Sequence, residues 1–194
     1  MDIIVATNNQ GKVKEIKQIL YPHNVMSQSE IGVNIDVEET GETFQENAFL
    51  KARALKNYTN CAIVADDSGL MVDYLNGEPG VYSARYAGDN TTPMQGIEKL
   101  LKNLEGVPYE GRGAHFVSVI ALIMPDGSEY SFEGTCDGYI TNILKGDNGF
   151  GFDPVFFYPP FNKTFAELTD EEKNSISHRY LAMKKLIDFI KDKE

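Results

Sequence analysis

The chain has 194 residues, of which 42% are hydrophobic and 24% charged, so it is long and apolar enough to bury a substantial core. Its net charge of −11 argues against nonspecific nucleic-acid binding, which needs a clustered excess of lysine and arginine, but permits a small anionic ligand at a locally positive cleft. No apolar run approaches the roughly 20 residues of a membrane-spanning helix or resembles a signal peptide, so we expect a cytoplasmic protein without a membrane partner, with Cys61 and Cys136 as free thiols.

The first predicted elements are an apolar strand over residues 3–6, a polar loop from Thr7 to Gly11, and an amphipathic helix. The inward face of this helix carries Val13, Ile16 and Leu20. A helix N-terminus presents unpaired N–H groups and a partial positive charge, and Lys12 in the first turn adds an ammonium, so the segment suits a polyphosphate. The alternative is that Thr7, Asn8 and Asn9 only cap the helix and Lys12 is solvated.

Two acidic pairs are expected at the ends of strands. Alternation over residues 33–37 predicts a half-buried strand that ends at Glu38-Glu39, and the apolar run 62–65 predicts a buried strand that ends at Asp66-Asp67. Carboxylates from two strand ends can converge on a hard cation, and Mg²⁺ needs only one or two of them besides water and substrate phosphates. Solvated strand ends are the alternative.

The remaining elements complete a mixed α/β pattern. Capping-box spacings at Thr43/Glu46, Thr92/Gln95 and Thr169/Glu172 predict three helix starts. Lys51 lies on the first of these helices, on the same stripe as Asn47. The runs 116–124 and 128–136, joined through Pro125-Asp126-Gly127, predict an antiparallel hairpin. We therefore expect an α/β protein with a mixed, elongated central sheet flanked by helices.

Two further groups of residues could contact a nucleotide. Phe150-Gly151-Phe152-Asp153 in the glycine-rich loop 146–154 offers aromatic faces and a carboxylate to a base, although such loops are more often tightly packed turns. Lys173, His178 and Arg179 cluster before the last helix and supply two permanent cations and one titratable ring. A solvated surface cluster is the alternative for this second group.

Taken together and in order, these residues resemble the inosine triphosphate/xanthosine triphosphate pyrophosphatases, which clear deaminated purines from the nucleotide pool. The resemblance covers nearly the whole chain. The matching segments are Thr7-Asn8-Asn9-Gln10-Gly11-Lys12, Glu38-Glu39-Thr40-Gly41 through Asn47-Ala48, Lys51-Ala52-Arg53, Ala65-Asp66-Asp67-Ser68-Gly69-Leu70, Gly80 through Tyr86, Gly149 through Pro154, and Glu172-Lys173 through Ser177-His178-Arg179.

The resemblance implies a reaction and a set of roles. Water would attack the α-phosphorus of ITP, dITP or XTP, with Asp67 as proton acceptor and pyrophosphate as leaving group. Mg²⁺ would be bound by Glu38 and Asp67, with the choice within each acidic pair left open. The substrate-binding residues would be Thr7, Asn9 and Lys12 for the triphosphate, Lys51 and Ser68 for phosphate or its metal, Phe150, Gly151, Phe152 and Asp153 for the base, and Lys173, His178 and Arg179 for base and phosphate.

The resemblance also implies one pyrophosphatase domain over residues 1–194, with two lobes, a cleft between them that holds the site, and a homodimer. Three alternatives can be weighed. Related pyrophosphatases act on pyrimidine or modified nucleotides, and a substrate panel separates the two groups. A haloacid-dehalogenase phosphatase and a P-loop hydrolase are disfavoured because the DxD and GxxxxGK[ST] motifs are absent. A non-catalytic nucleotide sensor is disfavoured because an anion binder without a metal gains nothing from additional carboxylates.

Overall fold

The computed structural model describes residues 1–193. Its strands are β1 (Asp2–Val5), β2 (Asn24–Ser27), β3 (Ala62–Val72), β4 (Gly113–Ile123), β5 (Glu129–Ile140), β6 (Phe156–Tyr158) and β7 (Lys163–Thr164). Its α-helices are α1 (Gln10–Ile19), α2 (Phe44–Leu55), α3 (Pro93–Asn103), α4 (Asp170–Ile176) and α5 (His178–Lys191). The predicted α/β class is confirmed.

All seven strands belong to one sheet, in the order β2-β1-β3-β4-β5-β6-β7. β1 is parallel to both of its neighbours, with Ile3 opposite Val25 of β2 and Ala62 of β3. β6 is antiparallel to β5 and to β7. β4 and β5 are joined by a tight turn in which the Met124 N–H donates to the Ser128 carbonyl at 2.9 Å. The sheet is therefore mixed, as predicted.

Three helices begin where the capping-box spacings place them. Thr43, Thr92 and Thr169 each accept a hydrogen bond from the backbone of the third helical residue, whose own side chain reaches back to the cap. α4 is short, because Ser177 has extended backbone geometry and separates it from α5. The last predicted helical region is thus two helices.

The predicted strand over residues 33–37 is wrong, because this segment is irregular. Val33 is buried and Asn34 exposed, so the alternation that suggested a strand is present in the side chains. The Ile35 carbonyl, however, accepts hydrogen bonds from the side-chain amides of Asn8 and Gln28. Side chains therefore satisfy this carbonyl, which a sheet ladder would otherwise use.

The prediction that Asp66 and Asp67 end a strand is also wrong. β3 continues through both residues to Val72. Successive side chains of a strand point to opposite faces of the sheet, so the two neighbouring carboxylates have different surroundings.

The chain divides into two compact units. The first comprises residues 1–67, 118–134 and the chain from His178, and the second comprises residues 68–117 and 135–177. Each unit has its own buried apolar residues. Those of the first unit include Ile3, Ile16, Ala52, Leu55, Ile120 and Leu186, and those of the second include Leu70, Ile97, Leu100, Phe116, Phe156 and Phe165.

Two smaller expectations can be compared with the structure. Cys61 and Cys136 are both free, as predicted, and Cys136 is buried. Burial raises the pKa of the Cys136 thiol to about 12. Within residues 1–193, none of the helices has the length and apolar character needed to cross a membrane.

Candidate active site

The loop between β1 and α1 places the first group of predicted residues. Asn9 is the N-cap of α1, and its Oδ1 accepts a hydrogen bond from the Lys12 N–H at 3.2 Å. The Thr7 hydroxyl oxygen accepts one from the Asn9 N–H at 3.1 Å. Both side chains therefore shape the helix N-terminus, where backbone N–H groups and the helix dipole favour an anion.

The Lys12 ammonium forms an ion pair with Asp66, with 2.7 Å between Nζ and Oδ2. Burial lowers the pKa of Lys12, and the nearby cations Lys51 and Arg179 also lower it, while Asp66 opposes them. Three basic side chains therefore come together in the first unit, where they can balance the charge of a phosphate group.

Asp66 is completely buried, and both charged and polar donors contact its carboxylate. Besides Lys12, the Ser118 hydroxyl donates to Oδ1 at 2.5 Å, and an Arg179 N–H donates to Oδ2 at 3.3 Å. Arg179 also forms an ion pair with Glu15. Burial acts to raise the pKa of Asp66, but Arg179 and Lys12 outweigh it and hold that pKa well below its usual value. Asp66 is therefore a charged anchor inside the fold.

Asp67 has a different set of neighbours. Lys51 Nζ lies 2.9 Å from Asp67 Oδ1 and 3.6 Å from a Glu39 carboxylate oxygen, and it also donates to the Asp66 carbonyl at 2.8 Å. Burial acts to lower the pKa of Lys51, but the Asp67 and Glu39 carboxylates outweigh it and raise that pKa. Lys51 thus remains a cation between two acids.

The Asp67 carboxylate is suited to a further cation. No N–H or hydroxyl donor of residues 1–193 reaches its buried Oδ2. Burial, together with the Glu39 carboxylate, raises the pKa of Asp67 to about 7. Two acids held together repel each other unless a proton or a cation separates them, so this pair fits a divalent ion.

Glu39, rather than Glu38, is the acid beside Asp67 and Lys51, whereas the Glu38 side chain is exposed. Within residues 1–193, no group of three or more histidine, cysteine or acidic residues has the arrangement of a metal cage. Magnesium does not require such a cage, because it usually keeps several waters and binds substrate phosphates. Glu39 and Asp67 could therefore hold it together, and the role of Glu38 as a metal ligand stays a prediction.

The predicted base-binding residues lie in the second unit. Asp153 Oδ2 accepts a hydrogen bond from the Phe150 N–H at 3.0 Å and lies 2.7 Å from Lys173 Nζ. The same ammonium lies 4.7 Å from the centre of the Phe150 ring. A Cβ atom on Gly149, which has a φ of 72°, would come within 2.0 Å of Asp153 Oδ2, so the loop requires glycine there. Phe150 is half-buried, which leaves part of its ring accessible.

The remaining predicted site residues differ in their burial and in their contacts. Phe152 packs in the apolar core of the second unit, edge-on to Tyr86. Gly151 and Ser68 are half-buried, and His178 is buried at the start of α5. Lys173 and Arg179, which the sequence placed in one cluster, pair with different acids: Asp153 for Lys173, and Glu15 and Asp66 for Arg179.

Sequence reasoning missed Glu15 and Ser118. Ser118 had a signal, because it is a polar residue inside the otherwise apolar run of residues 117–124. Such a residue in a buried strand needs a hydrogen-bond partner, and Asp66 provides it. Glu15 had no comparable signal, because a glutamate in a helix is ordinarily solvated.

An α/β fold that places a buried carboxylate among lysines, beside a helix N-terminus, has the features of a site for a phosphorylated ligand and a cation. Residues 3–189 match the sequence model of the Ham1 family, and the chain belongs to that family.

Individual relatives agree with this membership. The chain is 50% identical over 192 residues to a "dITP/XTP pyrophosphatase" of Thermoanaerobacter sp., covering 98% of this chain and 96% of the relative. It is 52% identical to the protein of that name from Caldanaerobacter subterraneus subsp. tengcongensis, covering 97% and 95% of the two chains. The solved Ham1 protein of Staphylococcus aureus superposes with a TM-score of 0.88 at 46% identity and covers 100% of both chains. The resemblance that the motifs indicated is confirmed.

Proposed function

We propose that this protein is a magnesium-dependent nucleoside triphosphate pyrophosphatase. It would hydrolyse deaminated purine nucleotides, namely ITP, dITP and XTP, to the monophosphate and pyrophosphate, and so clear them from the nucleotide pool. The names of relatives about 50% identical along their whole length support this reaction. The observation that carries it is the buried Asp67 carboxylate, whose Oδ1 contacts Lys51 and whose Oδ2 no donor of residues 1–193 reaches.

The first unit would bind the triphosphate. The N–H groups at the start of α1, shaped by Thr7 and Asn9, and the ammonium of Lys12 would hold phosphate oxygens. Lys51 would balance the charge that develops on the leaving pyrophosphate. Glu39 and Asp67 would hold Mg²⁺, which when bound supplies further charge neutralisation and makes water easier to deprotonate.

Asp67 would accept the proton of the attacking water, because its Oδ2 is not used by any described donor. Asp66 would not share this task, since Lys12, Arg179 and Ser118 already surround it. Asp67→Asn should therefore lower turnover at least about 100-fold, in the range of general-base catalysis, without unfolding the protein. Near-normal turnover by the purified, folded variant would remove Asp67 from this role.

The second unit would recognise the base. Phe150 would stack on the purine, and the Lys173 ammonium would donate a hydrogen bond to its 6-oxo group, which adenine lacks. Asp153 would hold Lys173 and the Phe150 loop in place, since its Oδ2 contacts both. Contacts of Asp153 with a ring N–H, and of Gly151, Phe152, Ser68, His178 and Arg179 with substrate, remain predictions. The same holds for Glu38 as a metal ligand, for the cytoplasmic location and for the homodimer.

The experiment is a pyrophosphate-release assay on ITP, XTP, dITP, GTP and ATP, with and without magnesium, with Asp67→Asn as the inactive reference. We expect the deaminated nucleotides ITP, XTP and dITP to release pyrophosphate when magnesium is present and not when it is absent. Equal catalytic efficiency on GTP and ITP would refute the proposed selectivity, and the absence of release from any of these nucleotides would refute the proposed reaction.

A further inference from the structure

The irregular segment of residues 33–41, here called the acidic segment, carries Glu39 but belongs to none of the strands or helices. The position of Glu39 relative to Asp67 and Lys51 therefore cannot come from a sheet ladder or a helix. An unsupported segment would lose considerable conformational entropy each time it was ordered around a ligand. Two sets of side-chain amides support it instead, all within the first unit.

The first support is at Ile35, four residues before Glu39. The buried Gln28 side chain donates from Nε2 to the Ile35 carbonyl and to Asn8 Oδ1, both at 2.8 Å. Asn8 Nδ2 donates to the same Ile35 carbonyl at 3.1 Å. Because Asn8 lies between Thr7 and Asn9, these bonds link the acidic segment to the loop at the start of α1.

The second support is at Gly41, two residues after Glu39. Asn47 of α2 is completely buried, and its Oδ1 accepts a hydrogen bond from the Gly41 N–H at 2.7 Å. Its Nδ2 lies 3.5 Å from the Gly41 carbonyl oxygen. A Cβ atom on residue 41 would lie 2.6 Å from Asn47 Oδ1, so the approach requires glycine. Asn47 precedes Lys51 by four residues, so one stripe of α2 holds both the acidic segment and the cation that contacts Glu39.

We propose that Gln28 and Asn47 are positioning residues that fix the acidic segment at both sides of Glu39 and thereby set the affinity of the Glu39 and Asp67 carboxylates for a divalent cation. This inference rests on the proposed function, because it concerns the same carboxylates. Some residues support the metal ligands without contacting the metal themselves. Their replacement commonly changes metal affinity by about 10- to 100-fold. Through Asn8, the same bonds connect the cation site to the loop predicted to hold the triphosphate.

The test uses the full chain with Gln28→Met, which retains the length of the side chain but removes both hydrogen-bond donations, and Asn47→Ala. Gln45→Ala is the matched control, since Gln45 is an exposed amide in the first turn of α2. Binding of Mn²⁺ alone is measured by isothermal titration calorimetry, and the magnesium dependence of pyrophosphate release from ITP is measured separately.

We expect both variants to bind Mn²⁺ about 10-fold more weakly, and to need correspondingly more magnesium, while kcat at saturating magnesium returns close to the wild-type value. The control should match the wild type in both measurements. A purely structural role would lower the melting temperature and leave the metal affinity unchanged, and that result would overturn the proposal. If Asn47→Ala does not fold, Gln28→Met decides the question alone.

The results that would refute the proposed function differ from those that would refute the positioning role. A wild-type chain that releases no pyrophosphate from the purine triphosphates, yet binds Mn²⁺ more tightly than Gln28→Met does, would refute the reaction and retain the positioning role. A wild-type chain that hydrolyses ITP with magnesium, and whose Gln28→Met variant has the same metal affinity, would retain the reaction and refute the positioning role.

Discussion

Asp66 and Asp67 are neighbours in β3, but they have opposite electrostatic surroundings. Asp66 is held ionised by Lys12 and Arg179, whereas burial and the Glu39 carboxylate raise the pKa of Asp67 to about 7. The pleat of the strand is the cause, because it directs consecutive side chains to opposite faces. Asp66 is therefore engaged in ion pairs inside the fold, and Asp67 is the carboxylate to which we assign the proposed chemistry.

Replacing Asp66 with asparagine should destabilise the protein. The substitution removes the carboxylate that pairs with Lys12 and one of the acidic partners of the buried Arg179. Removing one member of a buried ion network typically costs about 3–5 kcal/mol, so we expect a decrease of that size in the free energy of unfolding, measured by urea denaturation. Asp188→Asn, at an exposed position of α5, is the control. A change smaller than about 1 kcal/mol for Asp66→Asn would contradict the anchor role.

The residue types of the site could be predicted from the sequence, but their partners could not. Local spacing and the family resemblance singled out Lys12, Lys51 and Asp67. The pairing of Arg179 with Glu15 joins residues 164 positions apart, and no local pattern encodes such a contact. The choice between Glu38 and Glu39 also depends on the path of the acidic segment, whose backbone contacts the side-chain amides of Gln28 and Asn47.

At the level of elements, the helices were easier to predict than the strands. A capping box lies within four residues, so Thr43 and Glu46 define the start of α2 without any tertiary contact. β6 and β7 have only three and two residues, too few to show alternation, and they depend on their neighbours for hydrogen bonds. The acidic segment differs from β6 and β7, because its side chains alternate between buried and exposed although it forms no strand. Side-chain amides, and not a neighbouring strand, bond to its backbone.

The close contact between the backbones of α5 and β5 leads to a prediction about the packing of these two elements. A Cβ atom on Gly134 would lie 2.2 Å from the His178 carbonyl oxygen and 2.4 Å from the Ala182 nitrogen. Both are backbone atoms, so the helix itself would have to move. Gly134→Ala should therefore destabilise the protein by about 2 kcal/mol or more, as overpacking of a core does. Thermal unfolding measures this effect, with Ser131→Ala on an exposed position of the same strand as control. Equal melting temperatures for the two variants would show that the helix can shift without cost.

At the scale of the whole molecule, the chain passes between its two units several times. The first unit is assembled from three separate segments and the second from two. β3 supplies Asp67 to the first unit and Ser68 to the second, so consecutive residues belong to different units. Neither unit is therefore a continuous piece of sequence, and each depends on segments that are distant in the chain.

Removing α5 should prevent the first unit from folding. This helix buries Met183, Leu186 and Ile190 in the apolar core of that unit and supplies Arg179 to Asp66 and Glu15. Burial of three such side chains contributes about 5–9 kcal/mol, comparable with the whole stability of a typical domain. A chain that ends at Ser177 should therefore lack cooperative thermal unfolding by circular dichroism, whereas one that ends at Lys191 should unfold like the full chain. Cooperative unfolding of the shorter chain near the full-length melting temperature would mean that α5 is dispensable for the core.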